Sequence, residues 1–284
     1  MKLPENSSAI LVGIVRNCER TILNELVFFR EMLNKFNHIE IYLVESDSTD
    51  ASLSILNKAK GKFTNFNYTS LGNLEKRFEI RTERLAYCRN TYLEYIQSRK
   101  GFFDYVIVAD MDNVNKKLNK SSFYSSFEDA PDWDCCAANQ SKLYYDLYAL
   151  RSESLLIGDV WLEAKKLSNI FNNYYSNHIY PFSRMLKIDN NIGFIEVQSA
   201  FGGIAIYTAE SLENIRYSFK DKEGNINCEH VFLHQKMKLN GKKIFINSKM
   251  INANWTEHTS KFKLVYFILY TKFGRLLSRF FSVM

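Results

Sequence analysis

Tyr105-Val106-Ile107-Val108-Ala109-Asp110-Met111-Asp112 carries an unbroken apolar run straight into two acids spaced one residue apart. A short continuous apolar run reads as a strand buried on both faces. In open α/β sheets, ligands gather outside the carboxyl ends of the strands. The Asp-x-Asp triplet therefore stands where a site is expected. Alternate residues of an extended segment point the same way, but the chain turns at a strand end. One carboxylate is then free to take a metal ion and the other the metal's water or a ribose. Hard divalent cations such as Mg²⁺ or Mn²⁺ suit carboxylates plus phosphate oxygens, and the ion offsets charge on a leaving diphosphate.

Working back from this strand, Leu85 to Ile96 has helical spacing, and the chain before it repeats a strand–helix order. Ala9 to Val15 is an apolar strand followed, after Arg16-Asn17, by a helix with Ile22, Leu26, Phe29 and Leu33 on one face. Ile39 to Val44 is a second strand, running into Glu45-Ser46-Asp47-Ser48-Thr49-Asp50, whose Ser and Asp residues suit the N-terminus of a helix through Leu53 and Leu56. A βαβα order implies a parallel sheet. Beyond the triplet, Asp134 to Ala138, Ile204 to Tyr207 and Lys243 to Ile246 are expected strands, and Glu229 to Leu239 a helix closed by Asn240-Gly241. The expected fold class is α/β: a mainly parallel sheet flanked by helices over residues 1–259, with a C-terminal helical tail over 260–284.

Composition narrows the function classes. With 284 residues, 46% of them hydrophobic and only three prolines, the chain is a folded globule with room for a sizeable core. Its net charge of +6 is modest and its cations are scattered outside the C-terminus, which argues against nucleic acid as a partner. Met1 to Ser8 is too polar for a signal peptide and no stretch has the length of a membrane span, so a cytoplasmic protein is expected. Cys18, Cys88, Cys135, Cys136 and Cys228 show no CxxC or metal-ligand spacing and read as reduced core thiols.

Several further groups carry candidate chemistry. Glu45 emerges directly from the second strand and can accept from a base N–H or a ribose hydroxyl. Ser48 and Asp50 suit the same contact or a helix cap. Arg89, with Asn90 and Arg84, lies on the helix before the Asp-x-Asp strand, where a guanidinium meets a diphosphate or an acidic partner. Tyr144-Tyr145-Asp146-Leu147-Tyr148-Ala149-Leu150-Arg151 is dense in the aromatic and polar groups that bind sugars, with Asp146 and Arg151 as the leading contacts. Phe201-Gly202-Gly203 permits close ligand approach at Gly203. Glu229, in Cys228-Glu229-His230 with His234 one turn on, suits an acid or imidazole that orients or deprotonates an acceptor hydroxyl. His230 and His234 lack the order of a zinc site. His258, after the last strand, is a third metal ligand or a diphosphate contact.

Taken in this order, Val-Glu-Ser-Asp-Ser-Thr-Asp, then Cys-Arg-Asn, then the apolar strand into Asp-Met-Asp resembles the donor-binding half of the GT-A glycosyltransferases. The Tyr-Asp-Leu-Tyr-Ala-Leu-Arg, Phe-Gly-Gly and Cys-Glu-His segments are similar to the fungal capsule-associated α-mannosyltransferase family and its bacterial relatives. The resemblance spans roughly Ile10 to His258. It implies Glu45 and Asp50 near the nucleoside, Asp110 and Asp112 on ribose and metal-diphosphate, and Asp146, Arg151 and Gly203 near the donor sugar or acceptor. Many inverting relatives open the late helix with Glu-Asp, and here the pair is Glu229-His230.

The expected activity is metal-dependent transfer of a hexose-like unit, with Mn²⁺ or Mg²⁺, from a nucleoside diphosphate sugar to a saccharide or lipid-linked saccharide in surface polysaccharide or glycoconjugate synthesis. The rivals are a sugar-phosphate nucleotidyltransferase, which usually opens with a glycine-rich loop absent at Val12-Gly13-Ile14-Val15-Arg16-Asn17, and a non-enzymatic carbohydrate-binding domain. The stretch from Lys261 mixes Phe, Leu and Tyr with Lys261, Lys263, Lys272, Arg275 and Arg279, a pattern suited to lying on the inner face of a membrane as a peripheral contact.

Overall fold

The computed structural model describes residues 1–169, 175–256 and 259. His258 and the basic stretch over 260–284 lie outside the described residues. Eight strands form one sheet in the order β3-β2-β1-β4-β7-β5-β8-β6. In chain order they are β1 (Ser8–Val15), β2 (His38–Glu45), β3 (Phe66–Ser70), β4 (Tyr105–Ala109), β5 (Cys135–Gln140), β6 (Phe194–Val197), β7 (Ile204–Thr208) and β8 (Ile244–Ala253). β1 pairs in parallel with β2 and β4, and β2 with β3. β7 runs antiparallel between β4 and β5, β5 and β8 are parallel, and β6 closes the edge antiparallel to β8. The sheet is mixed but mainly parallel, as the βαβα order predicts.

The strands at the centre are apolar at every position because both faces of the sheet are covered. Alternation then sorts their side chains between two cores. Ile10 and Val12 of β1, Val106 and Val108 of β4, and Ala205 and Tyr207 of β7 face one core. Ala9, Leu11, Ile107 and Ile206 face the other. The first core is covered by the helices α3 (Arg81–Ser98), α5 (Val160–Leu167) and α7 (Glu229–Leu239), the second by α1 (Ile22–Met32), α2 (Ser52–Lys62) and α4 (Lys120–Tyr124). The remaining short helix is α6 (Tyr180–Arg184). This is an α/β, Rossmann-like arrangement.

Three strands differ from the sequence reading. β3 and β6 are additional, and β8 continues past Ile246 to Ala253. β3 buries only Phe66, and β6 is a four-residue edge strand, so neither shows an apolar run. The second half of β8 is polar, with Asn247, Ser248 and Asn252 all fully buried. The expected stop at Asn240-Gly241 is present: Gly241 takes φ +73, and the N–H groups of Gly241 and Lys242 return to the carbonyls of Lys238 and Met237. The helix expected after Glu45 starts at Ser52 without a side-chain cap on its N-cap residue, and Asp50 Oδ1 takes the N–H of Ser52 instead, at 2.9 Å. All five cysteines are buried and free, as expected of core thiols. Among the described residues, no helix is long and apolar enough to cross a membrane.

Candidate active site

Parallel pairing brings the ends of β1, β2 and β4 to one edge: Val15 sits beside Glu45, and Val12 beside Val108. β7 runs the other way, so its first residue, Ile204, lies opposite Ala109, and the Gly202-Gly203 turn before it meets Asp110. Gln140 and Ala253, at the ends of β5 and β8, pair at the same edge. The backbone N–H of Asp110 donates to the carbonyl of Gly203 at 2.9 Å. A chain of buried amides locks this junction. Asn115 Nδ2 donates to the carbonyls of Asp110 (3.0 Å) and Gly203 (3.1 Å). Asn252 Nδ2 donates to Asn115 Oδ1 and to the Gly202 carbonyl, both at 2.7 Å, and Gln140 Nε2 donates to Gly202 O and Asn252 Oδ1, both at 3.1 Å. Connected amides of this kind rigidify a site because each donor has a partner only in one arrangement.

Two glycines set how closely the strand ends meet. A Cβ at Gly13 would lie 2.6 Å from the Ala109 carbonyl and 2.7 Å from Met111 Cγ. Met111 therefore tucks over β1, 3% exposed, and anchors the triplet between its two acids. Gly203 adopts φ +93, and a Cβ there would meet Tyr145 Oη at 2.9 Å, Val114 Cγ1 at 3.0 Å and Asn252 Nδ2 at 3.1 Å.

The electrostatic centre is Arg89. It sits on the buried stripe of α3 with Ala86, Leu93 and Ile96, where a charge is retained only with partners. Its Nε donates to Glu229 Oε1 at 2.9 Å, one terminal nitrogen donates to Tyr92 Oη at 3.2 Å, and the other lies 3.7 Å from Asp110 Oδ1. Its guanidinium also lies over the rings of Phe201 (5.3 Å) and Tyr217 (5.8 Å). Asp112, Asp146 and Glu229 surround Asp110 with negative charge. Burial, only partly countered by Arg89, and this repulsion push the Asp110 carboxyl up to about 8, although its side chain keeps 37% of its surface open to solvent. Asp112 is exposed. Three carboxylates and one guanidinium thus surround Asp110 at the strand edge.

Glu229, expected to act on the acceptor, opens α7 but stands behind Arg89, its side chain 4% exposed and engaged by the guanidinium. Asp146 is half-buried, and its carboxylate accepts from the N–H groups of Gly202 (2.9 Å) and Ala149 (3.3 Å), which ties the aromatic segment to the glycine turn. Arg151 donates to the carbonyls of Leu147, Tyr148 and Leu150 and pairs with Asp159 Oδ2 at 2.9 Å, so it holds the turn that follows Asp146. Glu45 is buried, and its carboxylate accepts from Ser48 N–H and the Ser70 hydroxyl. Asp50 accepts from Glu19 N–H and from the N–H and hydroxyl of Ser52. Both acids bind loops at this edge of the sheet.

Asn90 exchanges two hydrogen bonds with the backbone of Tyr217, and Arg84 donates to the carbonyls of Phe78 and Glu79. Both are helix-anchoring contacts. His230 stacks on Phe201 at 4.0 Å, and His234 lies between the hydroxyls of Ser199 and Tyr207. Burial, with Arg89 and His234 nearby, holds His230 neutral, and burial alone does so for His234. The third expected metal ligand, His258, lies outside the described residues. Among the described residues, no three His, Cys, Asp or Glu side chains are grouped to hold a metal ion. Asp110 and Asp112 fit a hard divalent cation as a pair of oxygen donors, with the remaining positions left to diphosphate oxygens and water.

Besides the buried amides, Tyr145 and Glu25 were not singled out from the sequence. Tyr145 lies in the quoted aromatic segment, and its phenol is pushed up by burial and by Asp110, Asp146 and Asp112, which places it among the acids. Glu25, on the core face of α1, accepts from the Asn113 N–H at 3.0 Å, directly after the triplet. The only signal for Glu25 is its place between Ile22, Leu26 and Phe29 on the buried stripe of its helix.

Compared with known protein families and with curated proteins, the chain matches none. Among solved structures it is similar to S. aureus TarS 1-349 in complex with UDP-GlcNAc, with a TM-score of 0.48 and 16% identity. That match covers 89% of this chain, which spans 61% of the TarS chain's length. It is also similar to the mannosyltransferase PcManGT from Pyrobaculum calidifontis in complex with GDP-Man and Mn²⁺, with a TM-score of 0.47 and 12% identity over 86% of this chain and 57% of that one. A mycobacterial protein matches with a TM-score of 0.45 and 15% identity over 90% and 68% of the two chains. At identities this low, the chemistry has to be read from the site itself.

Proposed function

We propose that the chain is a metal-dependent glycosyltransferase that moves a hexose-like sugar from a nucleoside diphosphate sugar to a saccharide or lipid-linked saccharide. The observation that carries this reading is the gathering of Asp112, Asp146, Glu229 and the Arg89 guanidinium around Asp110, beside the Gly202-Gly203 turn. Carboxylates in such excess are unfavourable for the bare fold and suited to a cation carrying a polyanion.

Asp110 and Asp112 would hold the divalent ion, Mn²⁺ or Mg²⁺. When bound, that ion supplies Lewis-acid neutralisation of the departing diphosphate. Arg89, fixed from behind by Glu229, aims its remaining terminal nitrogen toward Asp110 and adds positive charge at the same place. The absence of a Cβ at Gly203 lets the turn pack against Tyr145, Val114 and Asn252 rather than opening space for a ligand, and Asp146 with Tyr145 would form the sugar end of the site. Glu45 and Asp50 shape the loops at the nucleoside end. Catalysis in this arrangement rests on positioning and on preorganised charge.

A donor-hydrolysis screen across UDP-, GDP- and CMP-sugars with and without Mn²⁺ tests the reading. Cation-dependent release of a nucleotide from one donor class is expected. No turnover and no nucleotide binding with any donor would sink it.

A further inference from the structure

The buried stripe of α1, Ile22, Glu25, Leu26, Phe29 and Met32, is apolar except for one acid. Glu25 is 6% exposed, and its Oε2 has no hydrogen-bond partner among the described residues. A buried carboxylate with one oxygen unsatisfied is costly, and an apolar residue of similar volume would complete the stripe better. The other oxygen makes one contact, the 3.0 Å hydrogen bond from Asn113 N–H. Asn113 has φ 69, a left-handed turn that reverses the chain immediately after Asp112. Among the described residues, Asp112 is otherwise held only locally, its Oδ1 accepting from Val114 N–H at 3.1 Å. Asp110, by contrast, is fixed by Gly203 and Asn115.

We propose that Glu25 is a positioning residue of the donor site: through Asn113 N–H it holds the turn that presents the Asp112 carboxylate. The inference rests on the glycosyltransferase reading. Glu25 touches neither cation nor donor in this role and acts through the backbone of Asn113. The role separates stability from function. An apolar residue at position 25 improves the core and releases the turn.

The test compares Glu25→Leu and Glu25→Gln with the full-length wild-type chain, using calorimetric binding of UDP, GDP, ADP and dTDP with Mn²⁺ or with EDTA, alongside Tm. For whichever nucleotide the wild type binds, Glu25→Leu is expected to keep or raise Tm while its Mn²⁺-dependent affinity falls at least about tenfold, a loss of roughly 1.4 kcal/mol. Binding in EDTA should be unchanged. Glu25→Gln keeps an acceptor oxygen for Asn113 N–H and should restore affinity to within about threefold, roughly half of that loss. Wild-type affinity in Glu25→Leu, an equal loss with and without Mn²⁺, or a Gln variant as impaired as Leu would each overturn the proposal. Glu25→Met replaces Leu if that variant does not fold, and failure of both to fold would make Glu25 a structural residue and overturn it too. A wild type that binds none of the nucleotides with Mn²⁺ points to failure of the glycosyltransferase reading itself, a result distinct from all of these.

Discussion

Arg89 and Glu229, 140 positions apart in the chain, form a buried ion pair 2.9 Å long that joins α3 to the first residue of α7. The pair ties the helix preceding the Asp-x-Asp strand to the helix that follows the last antiparallel crossing. Removing one partner leaves the other charge buried, which typically costs about 3–5 kcal/mol. Arg89 retains Asp110 at 3.7 Å, so Glu229→Ala should fall toward the lower end of that range. Arg89→Met should leave Glu229 without its cation and fall toward the upper end. The double variant is expected to be more stable than the sum of the two losses implies, by at least about 1 kcal/mol. Urea denaturation of the four proteins checks this, and strict additivity would mean that the two groups are not coupled.

Asp110 presents the opposite balance. Its carboxyl, pushed up to about 8 by burial and by the acids around it, is repelled in the folded state. Asp110→Asn should therefore leave Tm unchanged or raise it while turnover falls by about a hundredfold or more, the scale of losing a preorganised electrostatic group. Asp112→Ala should lose turnover similarly, since its exposed side chain supports no core. Near-normal turnover of either variant at saturating donor would remove the cation site from the mechanism.

Gly203 is constrained in both conformation and space. Gly203→Ala places a Cβ at φ +93, with Tyr145 Oη at 2.9 Å and Asn252 Nδ2 at 3.1 Å. The expected loss is about 1–3 kcal/mol, from left-handed strain together with displacement of the amide chain that holds Asp110. Donor binding should weaken along with stability, because the Gly203 carbonyl accepts from Asp110 N–H. A Gly203→Ala protein with wild-type Tm and donor affinity would show that the turn tolerates a side chain.

What could be read in the sequence divides along physical lines. β1, β4 and the Ile41–Val44 half of β2 were legible because burial on both faces leaves apolar runs, and each run stops at the polar residues that occupy the site edge. Asn115, Gln140 and Asn252 were not, because a buried amide is recognisable only by its partners and these are 50 to 137 positions away for the contacts of Gln140 and Asn252. The polar end of β8 was missed for the same reason. Glu45, Asp50 and Arg151 were picked by residue type and location, and the structure shows their side chains engaged by neighbouring loops, a commitment that residue type does not reveal. Arg89 carried a usable signal: a cation on the Ala86, Leu93, Ile96 stripe requires a carboxylate from elsewhere in the fold, and Glu229 supplies it.

His234 sets the acid limit of the fold. It is fully buried, with Nδ1 at 2.8 Å from the Ser199 hydroxyl and Nε2 at 2.9 Å from the Tyr207 hydroxyl, and burial pushes its imidazole from 6.5 down to about 3. Between those two values the unfolded chain binds a proton at this residue that the native state refuses. Stability from His234 is therefore fully present above pH 6.5 and is lost as pH falls toward 3, by about 1.4 kcal/mol per unit and on the order of 5 kcal/mol in all. His230, lowered by burial and then by Arg89, adds a loss of the same sign. Glu25 and Asp110, raised to about 7 and about 8 with burial as the main cause, act oppositely: the native state keeps protons that unfolded carboxyls have released, so their contribution improves as pH falls from 8. From these four groups, unfolding free energy is thus expected to rise as pH falls from 8 to 6.5, to level between about 6 and 4.5 where the two histidines offset the two carboxyls, and to fall below that. In His234→Gln the slope between pH 6 and 4 should shift by close to one proton, so that the variant gains stability relative to the wild type as pH falls. Urea denaturation of both proteins at half-unit steps measures that slope directly, and parallel curves for the two would show that His234 already accepts its proton in the folded state.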